Sequence, residues 1–423
     1  MWGLPTPRTS SRTRSPHLFR MPPRELRTGA GGVRDDTKVI HSGRHPERFE
    51  GAVNPPVFHA STILSQSLEE WDRKKADRAR GVPGTYYGRI GTPTTQALEE
   101  AIRELEGGAC TVLVPSGLAA CAVGLLSAVQ AGDHVLITDN VYGPTRTFAV
   151  RFLARFGVET TFFDPMVGAG VAALMRDNTR AVVVESPGSL SFEVQDVPAI
   201  AAAAHARGAI VLMDNTWATP LYFKPLAHGV DLSIQAATKY VVGHSDAMLG
   251  TITANERAAA RLRAAHYELG QTVGPDDANL ASRGLRTLAV RLARHWETGV
   301  RLAEWIARQP EVERVLHPAL PGDPGHALWK RDFAGASGLF GVVLKPMNRK
   351  AYAALIDSLE LFGIGASWGG YESLIMPMSP GDTRSATKWP HAGPCFRIHA
   401  GLENPDDLLA DLEAGFRQLR ENF

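Results

Sequence analysis

Five short, mostly apolar runs, at 111–114, 134–138, 181–185, 209–213 and 232–236, constrain this chain more than any other feature. Stretches with helical character separate them, at 94–105, 117–130, 145–156 and 197–207. A run that is apolar throughout, without alternation, suits a strand covered on both faces. Strands of that kind separated by helices predict an α/β domain with a mostly parallel sheet between two helical layers. Ligands of such sheets gather where strands end and helices begin, so the residues just past each run are the candidate site.

Four of those strand ends carry chemistry. Past Val114 comes Pro115-Ser116-Gly117-Leu118, opening an Ala-rich helix. Glycine admits a close backbone approach, and the free N–H groups of a helix start attract anions such as phosphate; taken alone, most such turns are only turns. Past Met213 comes Asp214, which reads either as a helix cap or as the partner of a cationic ring nitrogen. Past Ala236 comes Ala237-Thr238-Lys239-Tyr240. A lysine among small and apolar residues either snorkels to the sheet edge or is desolvated, which lowers its pKa and makes the amine nucleophilic. Asp214 and Lys239 are one strand–crossover–strand step apart and can face one ligand. Past residue 138, Tyr142 either packs in the core or offers an aromatic face to a planar group.

The rhythm changes after residue 285. A long helix near 286–308, a strand at 338–345, a helix at 349–361, an irregular Trp368-Gly369-Gly370 stretch, a strand at 395–399 and a helix at 405–421 predict a smaller α+β domain over 286–423. The large domain is placed at 92–285. Residues 34–91 lack periodicity and read as an arm lying over the large domain or a neighbouring subunit. Residues 1–33 read as a disordered basic extension, since 1–28 hold six arginines against Glu25 alone. A transit peptide is the alternative there, opposed by five prolines, and Met21 is a possible true start.

Charge balances almost completely, at 45 basic and 44 acidic residues, so nothing points to a nucleic-acid or membrane partner. No apolar run has the length of a membrane span. Three cysteines, Cys110, Cys121 and Cys395, form neither a disulfide framework nor a metal-ligand pattern, which predicts a reducing, cytoplasmic setting and no metal.

Asp214-Asn-Thr-Trp followed by Gln235-Ala-Ala-Thr-Lys-Tyr-Val-Val-Gly-His-Ser-Asp resembles the cofactor signature of the Cys/Met-metabolism pyridoxal-phosphate enzymes. Tyr87-Gly-Arg-Ile-Gly-Thr-Pro-Thr, Ser282-Arg-Gly-Leu-Arg-Thr-Leu and Ser367-Trp-Gly-Gly-Tyr-Glu-Ser-Leu extend the resemblance from about Thr37 to the C-terminus. Ser186-Pro-Gly-Ser, Ala236-Ala-Thr-Lys and Ser367-Trp-Gly-Gly are similar to the bacterial cystathionine β-lyase branch rather than to the γ-synthase and γ-lyase branches.

The resemblance implies a fold-type I transferase fold with a seven-stranded large-domain sheet, and pyridoxal 5'-phosphate as cofactor. Lys239 is implied as its Schiff-base lysine and proton carrier, Asp214 as partner of the ring nitrogen, and Tyr142 as the stacking and catalytic tyrosine. Gly117, Leu118 and Thr238 are implied phosphate contacts, joined by Tyr87 and Arg89 reaching from a neighbouring subunit. Arg397, bordered by Ser367 and Trp368, is the implied clamp for a substrate carboxylate. The implied activity is β-elimination of L-cystathionine by a homo-oligomer, a dimer with shared sites assembled into a tetramer. A broader cysteine-conjugate β-lyase, a γ-acting relative and a non-catalytic binding protein are the alternatives. At the distal end of the substrate Gly143 and Arg146 depart from the enteric pattern, Arg146 reads either as a partner for a second carboxylate or as a solvated side chain, and Tyr267 is a further candidate contact.

Overall fold

The computed structural model describes residues 33–422; the basic extension expected at 1–33 lies outside the described residues except for Val33. Seven strands form the larger sheet: β1 (Cys110–Val114), β2 (His134–Thr138), β3 (Glu159–Phe163), β4 (Thr179–Glu185), β5 (Ile210–Asp214), β6 (Leu232–Gln235) and β7 (Gly250–Ala254). Their order is β1-β7-β6-β5-β4-β2-β3. The pairs from β3 to β6 are parallel, and β7 runs antiparallel to both its neighbours.

The two faces of the sheet divide the apolar runs by alternation. Val183, Leu212 and Ile234 pack toward the helix Gly117–Ala128 with Val123 and Leu125. Val182, Val184, Val211 and Met213 pack the other way, on Val197, Ile200 and Ala204 of the helix Val197–Ala206. Neither face meets water, which is why these strands read as unbroken apolar runs.

A second sheet follows in the chain: β8 (Val312–Leu316), β9 (Leu339–Leu344), β10 (Gly363–Ile364), β11 (Leu374–Met378) and β12 (Cys395–His399), ordered β10-β11-β12-β9-β8. Phe340, Val342, Phe396 and Ile398 of this sheet pack on Leu408, Leu412 and Phe416 of the closing helix Pro405–Glu421. The long helix Leu288–Ile306 lies between the two sheets in the chain.

Two expectations change. The segment at 145–156 is not one helix: an α-helix at Gly143–Thr147 passes into a π turn at Phe148–Phe152 and a 3-10 turn at Leu153–Phe156. Phe148, Phe152 and Phe156 meet at four-residue spacing, the first pair stacked and the second tilted, with centroids 5.0 and 5.1 Å apart. Left-handed Gly157 ends the segment. The aperiodic arm also contains a full helix, Leu68–Ala79, capped by Ser67 Oγ accepting from the Glu70 amide. That helix buries no residue, and Leu64, Leu68 and Trp71 are 83, 75 and 57 % exposed. A helix without a packed face gives no apolar stripe to read. Among the described residues no helix is long and apolar enough to cross a membrane.

Candidate active site

The carboxyl ends of β1, β2, β4, β5 and β6 open toward the start of the helix Gly117–Ala128. Ser116 caps that helix, its hydroxyl accepting from the Ala119 amide at 3.1 Å. The Gly117 and Leu118 amides donate to no acceptor among the described residues. Position 117 has to be glycine, because a Cβ there would lie 2.5 Å from Cβ of Ala236, just past β6.

Asp214 closes β5 on the face turned to this helix. Its Oδ1 accepts from the Thr216 amide at 3.0 Å and from the Thr216 hydroxyl at 2.5 Å. Among the described residues its Oδ2 meets only the Cys121 thiol, at 3.8 Å. Burial raises the Asp214 pKa, and the Thr216 bonds oppose the rise. The carboxylate thus keeps one oxygen for a cation in a site walled by apolar side chains.

Lys239 lies in a turn whose amides are spent locally, Lys239 N–H on Ala236 O and Gly243 N–H on Lys239 O. Ala237, Tyr240, Val241 and Val242 anchor the turn in a core shared with the helices Pro93–Glu106 and Pro275–Arg286. The side chain is half-buried, and its pKa falls to about 8. Burial is the main cause; the Arg397 charge adds to it and Asp214 opposes it. Lys239 Nζ donates to Ser367 Oγ at 2.6 Å and stands 5.5 Å from the Trp368 ring centre.

Arg397 projects from β12, nearly buried, and burial lowers its pKa to about 10. One nitrogen, Nη2, donates to the carbonyls of Ala366 and Ser367 at 2.8 and 3.2 Å. Its Nε and Nη1 donate to no acceptor among the described residues, which leaves N–H groups of the guanidinium for an anionic ligand. Tyr142, 43 % exposed, sits at the start of the short helix after β2, and its amide donates to Glu185 Oε2 at 2.6 Å.

The structure therefore gathers Lys239, Asp214, Gly117, Leu118, Tyr142, Ser367, Trp368 and Arg397 around one cleft. Thr238 stands differently: its hydroxyl donates to Leu249 O at 3.2 Å and accepts from the Leu249 amide at 3.1 Å. Its single proton is committed to the backbone, so it reaches a phosphate only by giving up that bond. Tyr87 and Arg89 bond to none of these residues. Tyr87 is 43 % exposed, and Arg89 donates to Tyr267 O at 3.2 Å with its guanidinium 4.8 Å from the Tyr267 ring centre.

Arg146 is corrected outright. It is not a free cation for a distal carboxylate: it is paired with buried Asp139 and also donates to Ser385 Oγ. Glu185 and Cys121, both touching the cleft, were missed as site residues. Glu185 ends an apolar run, so the rule that found Asp214 already pointed to it. Nothing in sequence order hints that Cys121 meets Asp214.

A donor set of two free helix-start amides, a half-free, partly buried carboxylate and an amine of lowered pKa suits a ligand carrying a phosphate, a protonated ring nitrogen and an aldehyde. The family model for Cys/Met metabolism PLP-dependent enzymes matches residues 36–417. The chain belongs to that family. Among Cys/Met metabolism PLP-dependent enzymes it is 51% identical over 385 residues to a putative cystathionine beta-lyase of Rhizobium johnstonii, covering 90% of this chain and 95% of the relative. It is 47% identical over 390 residues to cystathionine beta-lyase MetC of Escherichia coli, covering 91% and 98%. The crystal structure of cystathionine gamma synthase from Xanthomonas oryzae superposes with a TM-score of 0.84 at 30% identity, covering 92% of this chain and 100% of that one. The seven-stranded, mostly parallel sheet with a smaller second sheet is thus the fold of the family.

Proposed function

We propose that this protein is a pyridoxal-phosphate-dependent carbon–sulfur β-lyase that cleaves L-cystathionine to homocysteine, pyruvate and ammonia. The observation that carries the reading is the Lys239 amine of lowered pKa between Asp214 and Arg397, in a chain 47% identical to a cystathionine β-lyase over 91% of its length. Three buried free cysteines favour a reducing, cytoplasmic setting.

Gly117 and Leu118 amides would hold the cofactor phosphate, Asp214 its ring nitrogen, Tyr142 its ring face and Lys239 Nζ its aldehyde carbon. The bound group supplies an electron-poor ring that accepts the electron pair left at Cα. Arg397 binds the substrate carboxylate through its remaining N–H groups and so turns the single Cα hydrogen toward Lys239. Once displaced by the substrate amine, Lys239 removes that proton, for which it has to be neutral; a pKa of about 8 keeps the neutral form accessible near neutrality. The C–S bond then breaks, sulfur leaves with the electron pair, and a proton from Lys239 completes the thiol. The three-carbon enamine that remains takes up water to give pyruvate and ammonia.

Tyr87 and Arg89 would reach the phosphate of a second copy of the chain. The exposed Leu64, Leu68 and Trp71 on the same arm favour burial against such a copy, in a dimer that the family resemblance extends to a tetramer. Incubation with L,L-cystathionine followed by product analysis tests the reaction. Pyruvate with homocysteine is expected, whereas 2-oxobutyrate with cysteine would establish the γ-acting alternative. No cofactor absorbance after adding pyridoxal phosphate would establish the non-catalytic one.

A further inference from the structure

Strand β12 presents Arg397 and His399 to the same side, two residues apart, and both hold the segment 366–370. Arg397 takes the Ala366 and Ser367 carbonyls; two residues on, the Gly369 amide donates to Nε2 of His399 at 3.1 Å. The segment is tightly seated. Gly369 has φ +88°, and a Cβ there would lie 2.9 Å from Cα of Lys239. A shift of Gly369 therefore moves Ser367, the partner of the Lys239 amine, and Trp368 beside it.

Accepting the Gly369 amide leaves no proton on Nε2, which puts the His399 proton on Nδ1. That nitrogen is buried without a partner among the described residues. The ring of His295 lies 5.0 Å away, centre to centre. Its Nδ1 donates to Ala400 O at 2.7 Å, so its Nε2 is a bare acceptor, also buried and unpartnered. Of these two nitrogens one is a donor and the other an acceptor, but they do not bond each other. The other tautomer, with Nε2–H turned to Gly370 O, leaves the Gly369 amide unpaired, and a buried orphan N–H is rarer than a carbonyl short of a partner. Burial keeps both rings neutral, at pKa values of about 3 for His399 and 4 for His295.

We propose that His399 is a positioning residue of the active site, whose Nε2 accepts the Gly369 amide and so fixes Ser367 and Trp368. It touches neither the proposed cofactor contacts nor the substrate. The inference rests on the reading of Lys239 and Arg397 above.

The test compares His399→Gln, which offers an oxygen to the Gly369 amide, with His399→Leu, which offers nothing. Both should bind pyridoxal phosphate as the parent does, read by cofactor absorbance. His399→Leu should raise KM for cystathionine about tenfold, the counterpart of one unmade buried hydrogen bond, with kcat falling less. The same loss should appear in affinity for L-alanine, which has no leaving group, read from the change in cofactor absorbance. His399→Gln should recover most of both. Parent-like KM and L-alanine affinity in His399→Leu would overturn the proposal. If that variant fails to fold, 15N spectra of histidine-labelled parent protein, assigned by the resonance lost in His399→Gln, decide the tautomer; a proton on Nε2 overturns it. A parent that shows no cofactor absorbance would instead sink the underlying reading.

Discussion

Glu185 and Asp214 stand opposite each other on β4 and β5, two carboxyl groups side by side at the end of the sheet. Burial, reinforced by the Asp214 charge, raises the Glu185 pKa well above the carboxylate range, so the pair carries its negative charge on Asp214. Glu185 is left as a neutral acceptor for the Tyr142 amide. Glu185→Gln should therefore keep cofactor binding and stay within about threefold of parent activity, while Glu185→Ala strands a buried amide at a cost of about 1–3 kcal/mol. Thermal melts and steady-state rates of the two variants check this; equal damage from both would contradict a neutral Glu185.

Asp214→Ala should lose cofactor affinity and activity together, by about 100-fold or more, since removing one member of a buried charged pair typically costs about 3–5 kcal/mol. Absorbance titration with pyridoxal phosphate reads the first and product formation the second. Retained activity would remove Asp214 from its proposed role.

Lys239 loses its proton at about pH 8 in the fold, against the ordinary lysine value of 10.5. Below pH 8 the amine of the apoprotein is charged and unreactive; above it the amine is neutral. The rate at which apoprotein captures pyridoxal phosphate should rise with pH through a midpoint near 8 and level off before 10. Between pH 8 and 10.5 the unfolded chain holds more protons at this residue, so the apoprotein should also gain stability from Lys239 as pH rises across that window. A capture midpoint near 10 would show that burial does not tune the amine.

Arg397→Lys should raise KM for cystathionine by about 100-fold with a smaller change in kcat. Lysine keeps the charge but has no planar fork to span the Ala366 and Ser367 carbonyls and a carboxylate at once. Unchanged KM would assign the carboxylate to another cation.

Asp139 accepts from the amides of Ser385, Ala386 and Thr387, from the Thr387 hydroxyl and from Arg146. It ties the segment before β12 to the end of β2. Asp139→Ala leaves Arg146 without its partner and should lower stability by about 3–5 kcal/mol, read by denaturant unfolding. Arg146→Ala should destabilise likewise while leaving the KM of the remaining folded enzyme near the parent value. A large rise in KM without loss of stability would return Arg146 to the substrate.

The sequence alone determined most of the elements whose burial is uniform, though β7, buried throughout but built of Gly, Thr and Ala around one Ile, was not among them. Strands β1, β2, β4, β5 and β6 were legible as apolar runs because both their faces are covered, and Asp214 and Lys239 stood out because charge is costly at the end of such a run. β3, with its first four residues exposed or half-buried, and the helix Leu68–Ala79, with none buried, left no such mark. Tertiary structure alone decided what each polar group is free to do. Thr238, Arg146 and Arg89 have the chemistry for phosphate or carboxylate, but within this chain they are bonded to Leu249, Asp139 and Tyr267. Glu185, Cys121 and His399 acquired a place at the site only through neighbours brought from 29 or more residues away, Asp214, Asp214 and Gly369. A residue type fixes which bonds are possible; only packing fixes which are already spent, and at Lys239 partial burial also lowered the pKa of the amine.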